Sequence, residues 1–358
     1  MKICFVTANL GPGGAERVIS LLANQFFQRG YDVEIVFFRD RQIFYKLDDG
    51  IKVIVLGEEC HSNALCWKML WLRRYVNKIK PQIIIPFRVS VYCTTIFSLL
   101  GISVPIVASE RIDPHIPDSY WTILRKLLLP FIKHLVVQTE YIKSYYPRFI
   151  QKRTTVIHNP VRDEVFEEES GEKREEKKQN RIISVGRLYP QKNQKMMIRA
   201  FAQIADKYPG WKLVIFGEGP LRAQLEFLVS SFGLQDRVLL PGRTEHVIEE
   251  LRNSKVFCFS SDFEGLSNSL IEALCVGLPI VTTNVSGTED ILVEEENGLV
   301  VPVNDEQAMA QALERLLSDE QLMDEMGKHS RQKAAMFSMI TIYSQWERLI
   351  KSIAKNGN

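Results

Sequence analysis

No stretch of this chain approaches the roughly 18 uncharged apolar residues that a membrane-spanning helix needs, so any membrane contact is expected to be peripheral. The opening apolar run, KICFVTANL, meets Gly and Pro too soon to serve as the core of a secretory signal. Cysteine is scarce and unpaired in pattern: Cys4, Cys60, Cys66, Cys93, Cys258 and Cys275 form no CxxC. That leaves no adjacent dithiol, and Cys4 and Cys258, inside apolar runs, read as buried thiols of a reducing cytosol. Net charge is also small, +2, but it is unevenly divided. Residues 1–160 carry 21 Lys+Arg against 12 Asp+Glu, or +9, and the remainder carries −7. A basic first half suits an anionic partner, a membrane surface or a diphosphate-bearing acceptor, rather than nucleic acid.

A length of 358 residues exceeds the size at which single cores stop growing, so two domains are expected. Short apolar runs alternate with helical patterns. The first half offers KICFVTA, DVEIVFF, KVIVL, QIIIPF, PIVASE, HLVVQT and TTVIH as strands, with helices over Ala15–Gln28, Leu65–Lys80 and Trp121–Lys133. The second half repeats the scheme with RIISVG, KLVIFG, RVLLPG, VFCFSS, PIVTT and GLVVP, and helices near 194–207, 221–232, 247–254 and 269–276. Such alternation predicts an α/β protein with parallel sheets and right-handed crossovers. The almost wholly charged stretch 163–181 cannot pack and reads as a linker between a domain at 1–162 and another at 182–338. Residues 339–358 form an amphipathic closing segment, bearing Tyr343 and Trp346, able to dock back on the first domain.

The most informative segment is 257–290, FCFSSDFEGLSNSLIEALCVGLPIVTTNVSGTED. It places Glu264 in a turn after a strand and Glu272 one turn into the following helix, the way an α/β protein offers groups at the carboxyl end of a parallel strand. The helix start near Ser267 suits a phosphate, and two flanking carboxylates suit hydroxyl groups attached to it. Arg187 and Lys192, in Gly186-Arg187-Leu188-Tyr189-Pro190-Gln191-Lys192-Asn193, can converge on a diphosphate and neutralise it as it leaves. From composition alone, cations at such positions are more often simply solvated. Gly217-Glu218-Gly219-Pro220 and Pro241-Gly242-Arg243 close the next strands as structural turns or contacts. In the first half, Gly13-Gly14 precede a helix in G-x-G-G-x-E spacing, which departs from the GxGxxG of dinucleotide sites. Alone, that loop is as much a tight turn as a ligand loop.

In this order and spacing, VGRLYPQKN, FGEGPL, LPGR, the E-x7-E segment and Ser286-Gly287-Thr288-Glu289 resemble the donor domain of family 4 glycosyltransferases. The GGAER loop resembles the start of the same family's acceptor domain. The resemblance implies the GT-B fold, two Rossmann-like parallel-sheet domains facing across a cleft that closes by hinge motion. It implies a retaining, metal-independent transfer of a hexose or N-acetylhexosamine from a nucleotide-diphosphate sugar, expected to be a UDP-sugar, which is a co-substrate rather than a cofactor. D-x-D, the usual metal-chelating signature of the other large transferase fold, occurs nowhere. The acceptor would be a glycan, lipid-linked by a looser likeness to bacterial enzymes of lipid-linked oligosaccharide and lipopolysaccharide-core synthesis. Rival readings are a sugar-nucleotide epimerase of similar fold and a non-catalytic nucleotide-sugar-binding subunit.

Carried over by residue, Arg187 and Lys192 would bind the donor diphosphate. Glu264 would meet the donor sugar beside Gly265, Leu266 and Ser267, Glu272 would hold the ribose, and Gly13, Gly14 and Gly217 would line the donor site. The family's S-E-H is here Ser109-Glu110-Arg111, so Arg111 stands where an imidazole is common, and a guanidinium cannot lose its proton. Arg111 is expected to act with Asp113, and with Glu16, on the acceptor side, unless His115 substitutes or Arg111 and Asp113 form a structural ion pair. Segments 65–80 and 120–133 interleave aromatic and basic residues and are expected to meet an anionic membrane. That implies a cytoplasmic enzyme peripherally held at the inner face of the plasma membrane.

Overall fold

A computed structural model of the chain describes residues 1–115, 119–166 and 178–355. It divides into two compact units, Met1–Pro160 with the C-terminal helix Met339–Lys355, and Val161–Ser338. All thirteen apolar runs named above are strands. They are nearly continuous in Val, Ile, Leu and Phe because a parallel strand covered by helices is buried on both faces.

In the first unit four parallel strands lie in the order Lys52–Val55, Asp32–Phe37, Lys2–Thr7 and Ile83–Pro86. The parallel bridges Ile84↔Ile106 and Phe87↔Ser109 carry the sheet on into Val107–Ser109, His134–Val137 and Thr154–Val156. Counted along the chain the order is 3-2-1-4-5-6-7. Alternation along one strand sorts the core into two layers. Ile3 and Phe5 pack with helices Gly14–Gln28 and Met339–Lys355, whereas Cys4 and Val6 pack with Leu65–Ile79 and Val89–Ser98. The helix Gly14–Gln28 buries Val18, Ile19, Leu22, Ala23 and Phe26, one stripe at helical spacing. It ends at Gly30, whose φ of +82° lets Tyr31 N–H return to Phe26 O at 3.1 Å. Met339–Lys355 is fixed by Trp346, fully buried, and by Glu347, which accepts from Tyr31 and Tyr343 hydroxyls at 2.7 Å each.

The second unit holds six parallel strands, ordered Val238–Gly242, Lys212–Phe216, Arg181–Val185, Val256–Phe259, Ile280–Thr283 and Gly298–Val301. This is again 3-2-1-4-5-6, the Rossmann order. Val161 and Val165 are buried in this unit's core and Arg181 opens its central strand. Of the charged stretch 163–181, residues 167–177 lie outside the described residues.

Two differences from the sequence reading have plain causes. The helix expected over 121–133 spans Ser119–Leu128 and tightens into a 3-10 turn at Leu129–Phe131, where Pro130 cannot donate the next helical hydrogen bond. Helices Val89–Ser98, Glu306–Ser318 and Glu320–Lys333 lie outside the helical stretches expected from the sequence. The last two are nonetheless well signalled, since Asp305 and Asp319 cap them by accepting from Ala308 and Leu322 N–H at 2.8 and 2.9 Å.

Candidate active site

In the second unit strands Arg181–Val185 and Val256–Phe259 are paired neighbours from which the chain winds away in opposite directions. The loops leaving their carboxyl ends therefore border the one crevice the topology opens. These loops are 186–193 and 260–267. They are knitted by Asp262 N–H to Gln191 O (2.9 Å), Ser260 Oγ to Lys192 O (2.9 Å), Gln191 Nε2 to Phe263 O (2.9 Å) and Asn193 Nδ2 to Asp262 Oδ1 (2.7 Å). Lys192 Nζ reaches across to Glu264 Oε1 at 2.5 Å, 4.9 Å above the Phe259 ring, and Ser261 Oγ donates to the same oxygen at 3.0 Å. Two side chains expected to meet one ligand are thus brought together, with 16% and 11% of their side chains exposed. A pair so placed keeps its charges undiluted by bulk water yet reachable by a ligand. Arg187, exposed, stacks its guanidinium 4.9 Å over Tyr189 and, among the described residues, makes no ion pair.

Ser267 starts the helix Asn268–Cys275, its hydroxyl accepting from Leu270 N–H at 3.4 Å. Glu272 is buried one turn in, beside Leu270 and Ile271, and Leu266 belongs to the core. Gly265 O receives Ser286 Oγ at 3.3 Å, bringing the 286–289 loop to the same edge. Gly217, with φ of +151°, is glycine for a packing reason: a Cβ there would stand 1.9 Å from Gly186 O. The FGEGP turn therefore props the Arg187 loop by backbone contact.

The first unit arranges its residues differently. Glu16 is buried and its Oε1 accepts from Arg88 Nη1 at 2.9 Å, while a Cβ on Gly13 would meet its Oε2 at 2.1 Å. Gly14 begins the helix. Arg88, absent from the sequence reading, sits at φ +73° and ψ 145°, a conformation nearly confined to glycine that costs on the order of 1–3 kcal/mol. Nothing in its local sequence, PFRVS, signals this.

Arg111 is buried over Phe87 at 4.9 Å and donates to Ser109 Oγ and Asn159 Oδ1, both at 2.8 Å. Burial pulls its guanidinium down to about 9, with the Glu110 carboxylate pulling the other way, so it remains charged at neutral pH. The alternative reading, a structural ion pair between Arg111 and Asp113, does not form. Asp113 instead accepts from His115 N–H at 2.9 Å, the backbone two residues on, and contacts its Nδ1 at 2.8 Å, while Arg111 is engaged by Ser109 and Asn159. Glu110 lies wholly inside, accepting from Tyr92, Tyr146 and Arg125 at 2.8, 3.2 and 3.4 Å.

Residues 165–333 match the family model described as Glycosyl transferases group 1, and residues 12–165 match Glycosyltransferase Family 4. The sequence is 32% identical over 365 residues, 99% of both chains, to the Campylobacter jejuni protein named GalNAc-alpha-(1->4)-GalNAc-alpha-(1->3)-diNAcBac-PP-undecaprenol alpha-1,4-N-acetyl-D-galactosaminyltransferase. The chain belongs to the family 4 glycosyltransferases. A second relative of this glycosyltransferase, the amylovoran biosynthesis glycosyltransferase AmsD of Erwinia amylovora, is 24% identical over 94% of this chain and 96% of its own. The crystal structure of Anabaena Alr3699/HepE in complex with UDP superposes with a TM-score of 0.84 at 18% identity, covering 98% of this chain and 100% of that one. The fold is GT-B, and Lys192, Glu264 and Arg187 lie at the switch point of its second Rossmann-like unit.

Proposed function

We propose that this glycosyltransferase moves a hexose or N-acetylhexosamine from a UDP-sugar to a hydroxyl of a lipid-linked glycan, with retention of configuration. The fixed Lys192–Glu264 pair beside the open Arg187 carries the reading. Two cations at one strand-end crevice can neutralise a departing diphosphate without a metal, and a carboxylate held between Lys192 and Ser261 can accept from sugar hydroxyls. Glu272 would take the ribose and Gly13 and Gly14 the approach of donor and acceptor. The polyprenol-linked substrate in the name of the Campylobacter relative supports a lipid-linked acceptor.

An anionic membrane surface is the matching location. Helices Leu65–Ile79, Val89–Ser98 and Ser119–Leu128 lie side by side and leave apolar groups outward. Tyr120, Ile123, Leu127 and Phe131 are each 61–64% exposed along one stripe, and Leu65, Trp67 and Phe97 extend it. Exposed Lys126, Lys133, Arg74 and Lys78 supply the cations, suiting the first half's excess of +9. Three other cations of these segments serve the fold: Lys68 donates to Phe38 O, Arg73 to Leu100 O, and Arg125 to Glu110. Among the described residues no helix is long and apolar enough to cross a membrane.

The deciding experiment measures UDP release from a panel of UDP-sugars, with and without a polyprenol-linked glycan acceptor. Acceptor-dependent release with sugar transferred supports the reading. Conversion of the nucleotide sugar without acceptor would mark an epimerase, and binding without turnover a non-catalytic subunit.

A further inference from the structure

The second unit has a hollow of about 660 Å³ on the side away from the Lys192–Glu264 crevice. Lys255 and Pro279, which line it, directly precede the strands Val256–Phe259 and Ile280–Thr283, whereas the crevice lies at the opposite, carboxyl ends. The length of a strand separates the two places by about 15 Å. One wall is the helix Glu320–Lys333, which presents Glu320, Asp324, Lys328 and Arg331 at helical spacing. Glycines bring this helix close: a Cβ on Gly327 would stand 2.6 Å from Gly277 O.

Four cations line the hollow, Lys178, Lys255, Lys328 and Arg331, against two carboxylates, Glu320 and Asp324. Lys255 pairs with Glu320 at 3.0 Å and stands 5.9 Å over Trp211, and Arg331 commits Nη2 to Val276 O at 2.9 Å. Among the described residues Lys178 and Lys328 make no ion pair. Lys178 is reached by solvent, yet its ammonium is held below the ordinary lysine value. The chief cause is desolvation, followed by Arg331, with Asp324 opposing and Lys255 adding. Like charges gathered in a concave place repel one another, and an anion entering it relieves that repulsion.

We infer that this hollow binds the phosphate monoester of a polyhydroxyl compound, a sugar phosphate or a nucleotide. The cations hold the phosphate through charge-assisted hydrogen bonds. Glu320 and Asp324 accept from hydroxyls, which a bare inorganic anion does not offer. The volume points the same way, because a hollow of this size suits an organic ligand and leaves a lone phosphate largely surrounded by water. Met323 and Pro279 add apolar surface for a ring to cover. Lying at the other end of the strands, this ligand is neither the donor nor the acceptor of the proposed transfer.

The test is calorimetry on the full chain with three nested probes: inorganic phosphate, ribose 5-phosphate and adenosine monophosphate. Ribose 5-phosphate is expected to bind saturably and at least about tenfold more tightly than phosphate. A further gain with adenosine monophosphate assigns the hollow to a nucleotide, and equal affinity to a sugar phosphate. Lys178 and Lys328 are exposed, so their deletion spares the core. Lys178→Ala with Lys328→Ala should weaken ribose 5-phosphate binding about tenfold or more while melting temperature and UDP affinity hold. Lys192→Met, in the crevice, should leave ribose 5-phosphate binding unchanged. Loss in Lys192→Met but not in the double variant would overturn the inference by placing the probe in the crevice. Unchanged affinity in the double variant would overturn it too. So would equal affinity for phosphate and ribose 5-phosphate, an adventitious ion only, or no saturation by any probe up to about 10 mM. The readout is binding alone, so failure of the proposed transfer leaves this result standing, and the reverse.

Discussion

The two units share a strand order, 3-2-1-4-5-6, yet place their charge at opposite depths. In the second unit the ends of the central strands carry Lys192, Glu264 and Arg187, held by loop-to-loop hydrogen bonds and open to a ligand. In the first, Glu110 and Arg111 follow the strand Val107–Ser109 and, with Arg125 of the helix Ser119–Leu128, are enclosed among tyrosines and amides. A charge at a surface crevice is available for chemistry and adds little to stability, whereas an enclosed charge depends on its partner and is left uncompensated when that partner is removed.

The most direct way to break this contrast is at Glu264. Glu264→Ala should lower turnover by about a thousandfold or more while UDP affinity, by calorimetry, stays within about threefold of wild type. Wild-type turnover would remove Glu264 from the site. Next comes a matched pair of cation deletions. Lys192→Met should cut kcat/KM by about a hundredfold with a melting temperature close to wild type. Arg125→Met strands the buried Glu110 carboxylate and should cost about 3–5 kcal/mol in denaturant unfolding. Similar stability losses in both would erase the distinction between the units. Arg187→Ala should weaken UDP binding about tenfold or more, one strong charge-assisted contact. An unchanged Kd would exclude the diphosphate role. Smaller still, Ile123→Glu with Leu127→Glu should reduce partition onto anionic vesicles about tenfold while transfer to a short water-soluble acceptor is kept. Equal vesicle binding would place the membrane contact elsewhere.

The last and smallest test is acid. Burial, with Arg153 nearby, pushes His134 down to about 4. Hydrogen bonds from Tyr31, Tyr343 and Lys351 hold Glu347 down to about 2. Both belong to the first unit. The neutral histidine's contribution is full above the ordinary value of about 6.5 and is lost as pH falls toward 4, and the glutamate's is lost between about 4.5 and 2. In the second unit the lowered carboxylates Glu218 and Glu295 sit in exposed ion pairs with Arg222 and Arg315, which solvent screens. Calorimetry between pH 7 and 3 should therefore show the first unit's transition falling further than the second's, and parallel shifts would contradict that.

The sequence was most readable where chemistry and local pattern coincide. Thirteen strands announce themselves as apolar runs, and Arg187, Lys192 and Glu264 lie in short loops directly after two of them. The first unit's polar interior is different. Gln138 and Asn159 are 21 residues apart and Arg111 and Asn159 are 48 apart, so only the sheet brings them together. A glutamine or asparagine at a strand end looks the same in sequence whether it meets water or a partner. Arg88 is hidden for another reason: its backbone conformation is imposed by Ser109 O and Glu16, and residue type gives no hint of it. Helix Val89–Ser98, VSVYCTTIFS, lacks charges altogether and so shows no polar face from which a helical period could be read.

The helix Met339–Lys355 reverses the usual order of assembly during synthesis. N-terminal domains ordinarily fold first as the chain emerges. Here the core around Phe26 and Phe87 waits for Tyr343 and Trp346, which are made only after all of Val161–Ser338. The unit that begins first is completed last, and a nascent chain stopped at Ser338 would carry a finished second unit and a first unit whose sheet, on the side of Ile3 and Phe5, keeps Gly14–Gln28 but lacks the cover of Tyr343 and Trp346.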